Sequence, residues 1–238
     1  NIRSYGEDPA AVAAHVRAFI EGAGSDPRNR VLVTLKHFPG HGDTALDSHL
    51  GLAGITADRA RLERVELIPF RAGIAAGADA VMTAHMAVPA LEPQPIPATV
   101  SAAILTGLLR KELGFHGIIA TDAMDMQGLS ALFPAGEAAL RAIEAGADVL
   151  LMPPAPEEAV NAVVAAVKSG RLSARRIDQS VARILAAKAR VGLQRKRLVD
   201  IEAIGDVIDA PDGVALAQSH ADAALTLVKN DGALLPLK

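Results

Sequence analysis

The stretch "RVLVTLKHF", residues 30–38, decides the fold. Its apolar part, Val31 to Lys36, is short and rich in β-branched side chains, which is typical of a strand buried on both faces of a parallel sheet. The strand runs directly into Lys36 and His37. Parallel α/β folds place their functional side chains at the carboxyl ends of the strands. The stretch therefore predicts a parallel α/β fold with a functional site beside His37.

The same unit, a short apolar strand followed by an amphipathic helix, recurs along the chain. Further strands are predicted at residues 80–85, 117–122 and 147–153. Helices are predicted at residues 9–21, 57–75, 101–113, 136–145, 156–168 and 173–190. Asp8 and Thr56 are the predicted N-caps of the first two helices. Alternation of strands and helices indicates a parallel sheet.

Two architectures fit this alternation, an open doubly wound sheet and part of a (β/α)8 barrel. No Gly-rich phosphate loop of standard spacing follows a strand, which weakens the nucleotide-binding, doubly wound alternative. A full barrel has eight strands and about 250 residues. Residues 1–192 are therefore predicted to be the C-terminal portion of a TIM (β/α)8 barrel, with its first strands missing upstream. Residues 193–222 are predicted to be a linker and a helix, and residues 223–238 a strand and turn that start a second domain.

The composition excludes several classes of function. Aromatic residues make up 3% of the chain and the net charge is −3 without a basic block, which argues against nucleic-acid binding. The absence of cysteine excludes disulfides and thiolate metal sites. No apolar run is long enough to span a bilayer. The chain begins at Asn1, so the lack of a signal-like segment does not fix the compartment.

Polar residues with catalytic potential concentrate in "KHFPGHGDTALDSH", residues 36–49. A spacing of two places the Asp47 carboxylate and the His49 imidazole on one side of an extended segment, where a hydrogen bond would fix the ring tautomer. Such a pair suits a general acid or base. A solvated polar loop is one alternative. A metal site is another, although its spacing fits no zinc pattern, and it would use His37, His41, Asp43 and His49.

This segment resembles the signature of glycoside hydrolase family 3, in the subgroup of β-N-acetylglucosaminidases. The Lys-His pair, the Pro-Gly-His-Gly-Asp-Thr run and the Asp-Ser-His triplet carry the resemblance. Other stretches agree up to about Arg190: "RSYGEDP" at 3–9, "VMTAHMAVPAL" at 81–91, "PATVSAAILTGLLRKELGFHGIIATDAM" at 97–124 and "ADVLLMP" at 147–153. The stretch "ALTLVKNDGALLPL", residues 224–237, resembles the start of the family's second domain, an α/β sandwich. The resemblance implies an enzyme built on a TIM barrel.

The resemblance also implies a role for each candidate residue. Asp122 matches the nucleophile that forms a covalent glycosyl-enzyme, His49 the general acid/base and Asp47 its dyad partner. The residues that match sugar-binding groups are Arg3, Lys36 and His37. From the residues alone, Asp122 also fits a helix N-cap or turn, and Arg3 an ordinary surface or capping arginine.

The remaining polar candidates are interpreted mainly as structural. His85 either lines the floor of the site and binds substrate or is a satisfied core histidine. His41 is expected to brace the loop, and Asp125, beyond the strand, is expected to be structural. The histidines expected to have no role in the site are His15, His116 and His220.

The implied activity is that of a retaining β-N-acetylhexosaminidase, without cofactor or metal, on peptidoglycan- or chitin-derived saccharides. One alternative is a family β-glucosidase, whose members tend to lack the Asp-Ser-His loop. Another is a non-catalytic fragment that needs the missing barrel half. The expected partners are the carbohydrate substrate and the remainder of the same polypeptide or a complementary chain. Two-domain relatives are often exported and single-domain ones cytosolic, which favours an exported or periplasmic location over a cytoplasmic one.

Overall fold

The structure, a computed structural model, describes residues 4–26, 30–208, 210–232 and 235. Its strands are β1 Thr34–Phe38, β2 Ala53–Gly54, β3 Ala80–Thr83, β4 Met86–Ala87, β5 Ile118–Ala123 and β6 Val149–Leu151. Strands β1, β3, β5 and β6 lie side by side in that order, and every neighbouring pair is parallel. Consecutive strands of the repeated unit are therefore neighbours in space. The α/β class with parallel strands is confirmed.

Helices connect these strands. They are α1 Pro9–Ala23, α2 Arg59–Arg64, α3 Leu67–Ala75, α4 Gln127–Ser130, α5 Ala135–Ala145, α6 Pro156–Ser169 and α7 Ala174–Arg190, with a 3₁₀ turn at Ala98–Val100 and a π-helix at Ala103–Glu112. Asp8 caps α1 as predicted, since its Oδ1 accepts a hydrogen bond from the Ala10 amide at 2.7 Å.

The structure corrects the helix predicted over residues 57–75, its cap and the start of the first strand. The helix predicted over residues 57–75 is two helices, because the backbone leaves the helical region at Val65 with φ −123° and ψ −72°. The cap is Asp58 and not Thr56, since the Asp58 carboxylate accepts from the Arg61 amide at 2.7 Å. Strand β1 begins at Thr34 and not at Val31, whose side chain is exposed instead of packing into the sheet.

Two buried aspartates stabilise the amino ends of the strands. Asp79, just before β3, accepts from the Val33 amide at 3.0 Å, and Asp148, just before β6, accepts from the Ile119 amide at 3.0 Å. Each carboxylate therefore ties its own strand to the neighbouring one. Helix α7 supplies cations to both: Arg176 and Arg183 to Asp148, and Arg190 to Asp79. The amino edge of the sheet is thus a fixed, charge-compensated layer.

The apolar core lies between the sheet and the helices that cover it. Its fully buried members from the sheet and the helices include Phe38, Val81, Ile119, Leu62, Leu67, Ile104, Leu105, Leu108 and Leu109. A second, two-stranded parallel sheet pairs Ala53 of β2 with Met86 of β4. Because β2 ends the loop that follows β1, and β4 follows β3, this small sheet fixes the far end of that loop above the carboxyl edge of the main sheet.

Residues 194–238 form a second compact unit, separate from residues 1–193. Its helices are α8 Ile204–Val207 and α9 Pro211–Ala224. The strand predicted after α9 is not formed in the described residues there, where Leu225, Leu227 and Val228 expose most of their side chains and pair with no neighbouring strand. The assignment of residues 223–238 to a second domain stays a prediction.

Candidate functional site

Asp122 lies at the carboxyl end of β5, the same edge of the sheet where β1 ends. Its Oδ1 accepts from the Ala123 amide at 2.9 Å, and its Oδ2 lies 3.6 Å from Nε2 of His37. Both side chains are 16% exposed. The carboxylate therefore has an imidazole beside it and stays partly open to a ligand. It caps no helix, because α4 begins only at Gln127, after Met126.

His85 lies beneath this edge and is fully buried. Its Nε2 donates to the carbonyl oxygen of Ala123 at 2.9 Å, and its Nδ1 lies 2.8 Å from the Thr99 hydroxyl. Because a carbonyl can only accept, Nε2 carries a proton. The Thr99 hydroxyl beside Nδ1 also donates to the Ala84 carbonyl at 3.1 Å, which holds that contact in place. Burial lowers the pKa of His85, although the Ala123 carbonyl acts in the opposite direction. His85 thus holds the backbone next to Asp122, and both its nitrogens are engaged within the protein.

Asp47 and His49 meet on the loop between β1 and β2. Nδ1 of His49 lies 2.7 Å from Oδ1 of Asp47, and the same oxygen accepts from the His49 amide at 3.0 Å. The predicted pair is therefore present, but the segment is a turn and not extended, since the Leu50 amide also bonds the Asp47 carbonyl at 2.9 Å. The Asp47 side chain closes this turn by accepting a hydrogen bond from the backbone amide two residues later. Both side chains are 61% exposed.

The dyad has a defined polarity. The hydrogen bonds from the His49 amide and then from its ring lower the pKa of Asp47 below its ordinary value, so the carboxylate stays charged. A charged carboxylate accepts only, so Nδ1 of His49 carries a proton. Nε2 is the ring nitrogen of His49 that this hydrogen bond leaves available to another partner.

His41 braces this loop from inside, as expected. Its Nε2 lies 3.0 Å from the Ser48 hydroxyl and its Nδ1 lies 2.9 Å from the Thr44 hydroxyl. Its ring also meets the edge of His37, with the ring centroids 5.9 Å apart. The loop is therefore connected to the strand end that faces Asp122.

The proposed ligands of the alternative metal site engage separate partners. Asp43 pairs with Arg61 at 2.8 Å, while His37, His41 and His49 meet the partners given above. Among the described residues, no three acidic or histidine side chains come together in a group that could hold a metal ion. The described helices also include none with the length and apolarity needed to cross a bilayer.

Lys36 and Arg3 are the other two residues that the resemblance assigns to sugar binding. Lys36 lies on β1, and its exposed side chain forms no hydrogen bond or ion pair within the described part of the chain. Arg3 lies outside the described residues. Asp125 is exposed after β5, and its carbonyl accepts from the Ser130 hydroxyl at 3.1 Å.

Several supporting residues escaped sequence reasoning. Thr99 orients His85, while Ser48 and Gly128 join two segments far apart in sequence, and nothing in these residue types signals those contacts. Asp79 and Asp148 did have a signal, because each follows Gly-Ala immediately before a strand, at residues 77–79 and 146–148. An internal comparison of the strand units would have found this pair.

Comparison with known proteins identifies the family. Residues 1–187 match the glycosyl hydrolase family 3 N-terminal domain. "Beta-hexosaminidase A" of Pseudoalteromonas piscicida is 37% identical over all of this chain and 42% of its own length. "Beta-N-acetylglucosaminidase/beta-glucosidase" of Cellulomonas fimi is 33% identical over all of this chain and 43% of its own length. The chain therefore spans less than half the length of these relatives.

Solved structures agree. A family 3 β-N-acetylglucosaminidase from Paenibacillus sp. str. FPU-7 superposes with a TM-score of 0.90 at 41% identity, over 97% of this chain and 44% of that one. "Beta-glucoside phosphorylase BglX" superposes with a TM-score of 0.92 at 32% identity, over 100% of this chain and 44% of that one. The similarity confirms the prediction of a TIM-barrel-like α/β fold.

Proposed function

The chain belongs to glycosyl hydrolase family 3, and from that premise we propose that the protein is a retaining β-N-acetylhexosaminidase. Its substrate would be terminal β-linked N-acetylglucosamine in peptidoglycan- or chitin-derived saccharides. The observation that carries the proposal is the 2.7 Å hydrogen bond between Asp47 and His49 on the loop after β1. This pair supplies an acid/base group without a second carboxylic acid.

In the first step, a carboxylate oxygen of Asp122 attacks the anomeric carbon. The bond to the leaving oxygen breaks as Nε2 of protonated His49 gives that oxygen its proton. In the second step, neutral His49 takes a proton from water, the water oxygen bonds to the anomeric carbon, and Asp122 leaves. The Asp47 carboxylate accepts from Nδ1–H throughout, so it stabilises the imidazolium of the free enzyme and fixes the tautomer of neutral His49 in the glycosyl-enzyme. Most retaining glycosidases use two carboxyl groups instead.

The other site residues act by binding and positioning. His37 and Lys36 would contact the sugar hydroxyls. The His37 ring lies 3.6 Å from the Asp122 carboxylate, and Lys36 precedes His37 on β1. Arg3 is proposed for the same role from the resemblance alone. His85 would act on substrate only through the backbone of Ala123, because both its ring nitrogens are already bonded.

The direct test is nitrophenol release from the β-N-acetylglucosaminide and the β-glucoside by the chain supplied with its complementary strands. We expect clear preference for the former, and loss of turnover in Asp122→Ala and Asp122→Asn with the fold retained by circular dichroism. The two variants separate loss of the carboxylate from loss of side-chain volume. Preference for the glucoside would favour the β-glucosidase alternative, which the Cellulomonas fimi relative's double name keeps open. Retained turnover in both Asp122 variants would refute the nucleophile.

A second measurement tests whether these strands suffice for catalysis. In the described residues the main sheet has four strands, where a closed barrel has eight. We therefore propose that further strands, from the same polypeptide or a complementary chain, complete the sugar site. The isolated 238-residue chain should then show weak or no turnover. Adding the chain that carries the further strands should restore activity. Full activity with an intact mass of 24.6 kDa would contradict this. Adding phosphate to the same assay distinguishes hydrolysis from transfer of the sugar to phosphate.

A further inference from the structure

Ser48 is the residue between Asp47 and His49. It is 3% exposed, whereas the side chains of Asp47 and His49 are each 61% exposed. Its hydroxyl is bonded to His41 at 3.0 Å. Its carbonyl oxygen accepts from the Gly128 amide at 3.1 Å. The loop is therefore anchored at the one residue between Asp47 and His49, in addition to its ends at β1 and β2.

Gly128 makes this anchor through the absence of a side chain. A Cβ atom there would lie 2.9 Å from the carbonyl oxygen of Ser48, 3.0 Å from that of Gly51 and 3.0 Å from that of His85. All three are backbone atoms, which cannot rotate away as a flexible side chain would. Gly128 lies in α4, where alanine is ordinarily the better helix former. The close approach of three segments, and not helix formation, explains a glycine at this position.

We propose that Gly128 is a positioning residue for the acid/base dyad. Its amide and its missing side chain fix the Ser48 carbonyl against the connection that follows β5, the strand carrying Asp122. The contact sets the distance between the group that delivers the proton and the group that attacks the sugar. The inference rests on the proposed function and adds to it the residue that relates the two catalytic segments.

The test uses Gly128→Ala, with His49→Ala as the reference for loss of the acid, and each variant is assayed with the complementary strands. The readout is the ratio of kcat/KM for a dinitrophenyl glycoside, which needs little acid assistance, to kcat/KM for an alkyl glycoside. General acid catalysis contributes about 10²–10⁴-fold, so displacement of the loop should raise this ratio about tenfold or more. The ratio cancels the concentration of folded enzyme, so it stays informative even if the variant folds poorly. Azide should accelerate the dinitrophenyl reaction in both variants, because an anion needs no base to attack the glycosyl-enzyme.

Gly42→Ala is the matched control, since it makes the same change on the same loop where an added Cβ meets nothing within 4 Å. Its ratio should equal that of the wild type. A Gly128→Ala variant that loses activity on both substrates equally, with an unchanged ratio and no azide effect, would show a purely structural glycine and overturn the proposal. So would a Gly128→Ala variant with wild-type kinetics.

Hydrogen exchange separates this proposal from the proposed function. Amides of residues 45–51 should exchange faster in Gly128→Ala than in Gly42→Ala, because only the former removes the anchor. Unchanged exchange would overturn the anchor whatever the activity. If the wild type supplied with its complementary strands hydrolyses no glycoside but exchange rises as expected, the proposed function fails and the anchor stands.

Discussion

Replacement of Asp148 by Asn should destabilise the protein strongly without impairing the chemistry. The Asp148 side chain is 0% exposed and lies 2.5 Å from Arg110, 2.9 Å from Arg183 and 3.6 Å from Arg176. Burial lowers the pKa of Arg110 to about 10 in spite of this carboxylate, so the arginine cluster already suffers from desolvation. An amide of the same shape removes the only negative charge bonded to these three guanidinium groups within the described residues.

The cost follows from leaving buried cations uncompensated, which is worth about 3–5 kcal/mol. At about 2–4 °C per kcal/mol for a chain of this size, Tm should fall by roughly 6–20 °C. Urea unfolding followed by circular dichroism measures the free energy, and a thermal scan measures Tm. Turnover well below the transition should match the wild type, because Asp148 lies at the amino edge of the sheet and Asp122 at the carboxyl edge.

The control is Glu144→Gln, the same carboxylate-to-amide change on an exposed pair. Glu144 lies 2.8 Å from Arg171, with side chains 30% and 45% exposed. Such pairs are worth about 0–1 kcal/mol and weaken with salt. Equal, small losses of unfolding free energy in the two variants would refute the reasoning that burial makes the Asp148 cluster essential.

Three further predictions concern the site and its supports. His49→Ala should spare dinitrophenyl glycosides but lower kcat/KM on alkyl glycosides about 10²–10⁴-fold, and equal losses on both would argue against His49 as the acid. Because burial lowers the pKa of His85 below its ordinary 6.5, the unfolded chain binds that proton more readily, and stability should fall as pH drops below about 6.5. His85→Gln should flatten this dependence in urea unfolding between about pH 7 and 5, and an identical slope would exclude His85 as its source. Gly40→Ala should cost about 1–3 kcal/mol, since φ is +133° and a Cβ would lie 2.7 Å from Cβ of Glu66. Gly77→Ala should lose less stability than Gly40→Ala, because φ at Gly77 is +89° but an added Cβ meets nothing within 4 Å. Equal losses in the two variants would show that the positive φ, and not the clash with Glu66, causes the destabilisation.

Local features of the fold were predictable because their causes are local. The strand at residues 118–123 follows from a β-branched run, and the start of α1 follows from Asp8 and Pro9. The break at Val65 did have a signal that the apolar pattern of residues 57–75 concealed, because Pro69 has no amide hydrogen to donate to the Val65 carbonyl and fits only the first turn of a helix. Strands β2 and β4 have two residues each, which is too short for any periodicity.

The residues of the site were only partly predictable, because only some of their contacts are between near neighbours in sequence. Asp47 and His49 are two residues apart, so their pairing is written in the sequence, although the turn that forms it is not. The contact between Ser48 and Gly128 joins residues on different strand connections. Neither residue type suggests a partner, and only the packing of the loop on α4 brings them together.

The aspartates at the two edges of the sheet have different surroundings, and this difference supports the proposal that Asp122 is the nucleophile. Asp148 is fully buried among arginines and accepts from the Ile119 amide, so its carboxylate has no capacity left for a ligand. Asp122 accepts one amide and meets His37 at 3.6 Å, longer than a hydrogen bond, and its side chain stays partly exposed. Its oxygen is therefore held in place without being consumed by a partner. A nucleophile needs this condition, so Asn at position 122 should remove activity and spare stability, the reverse of Asn at position 148.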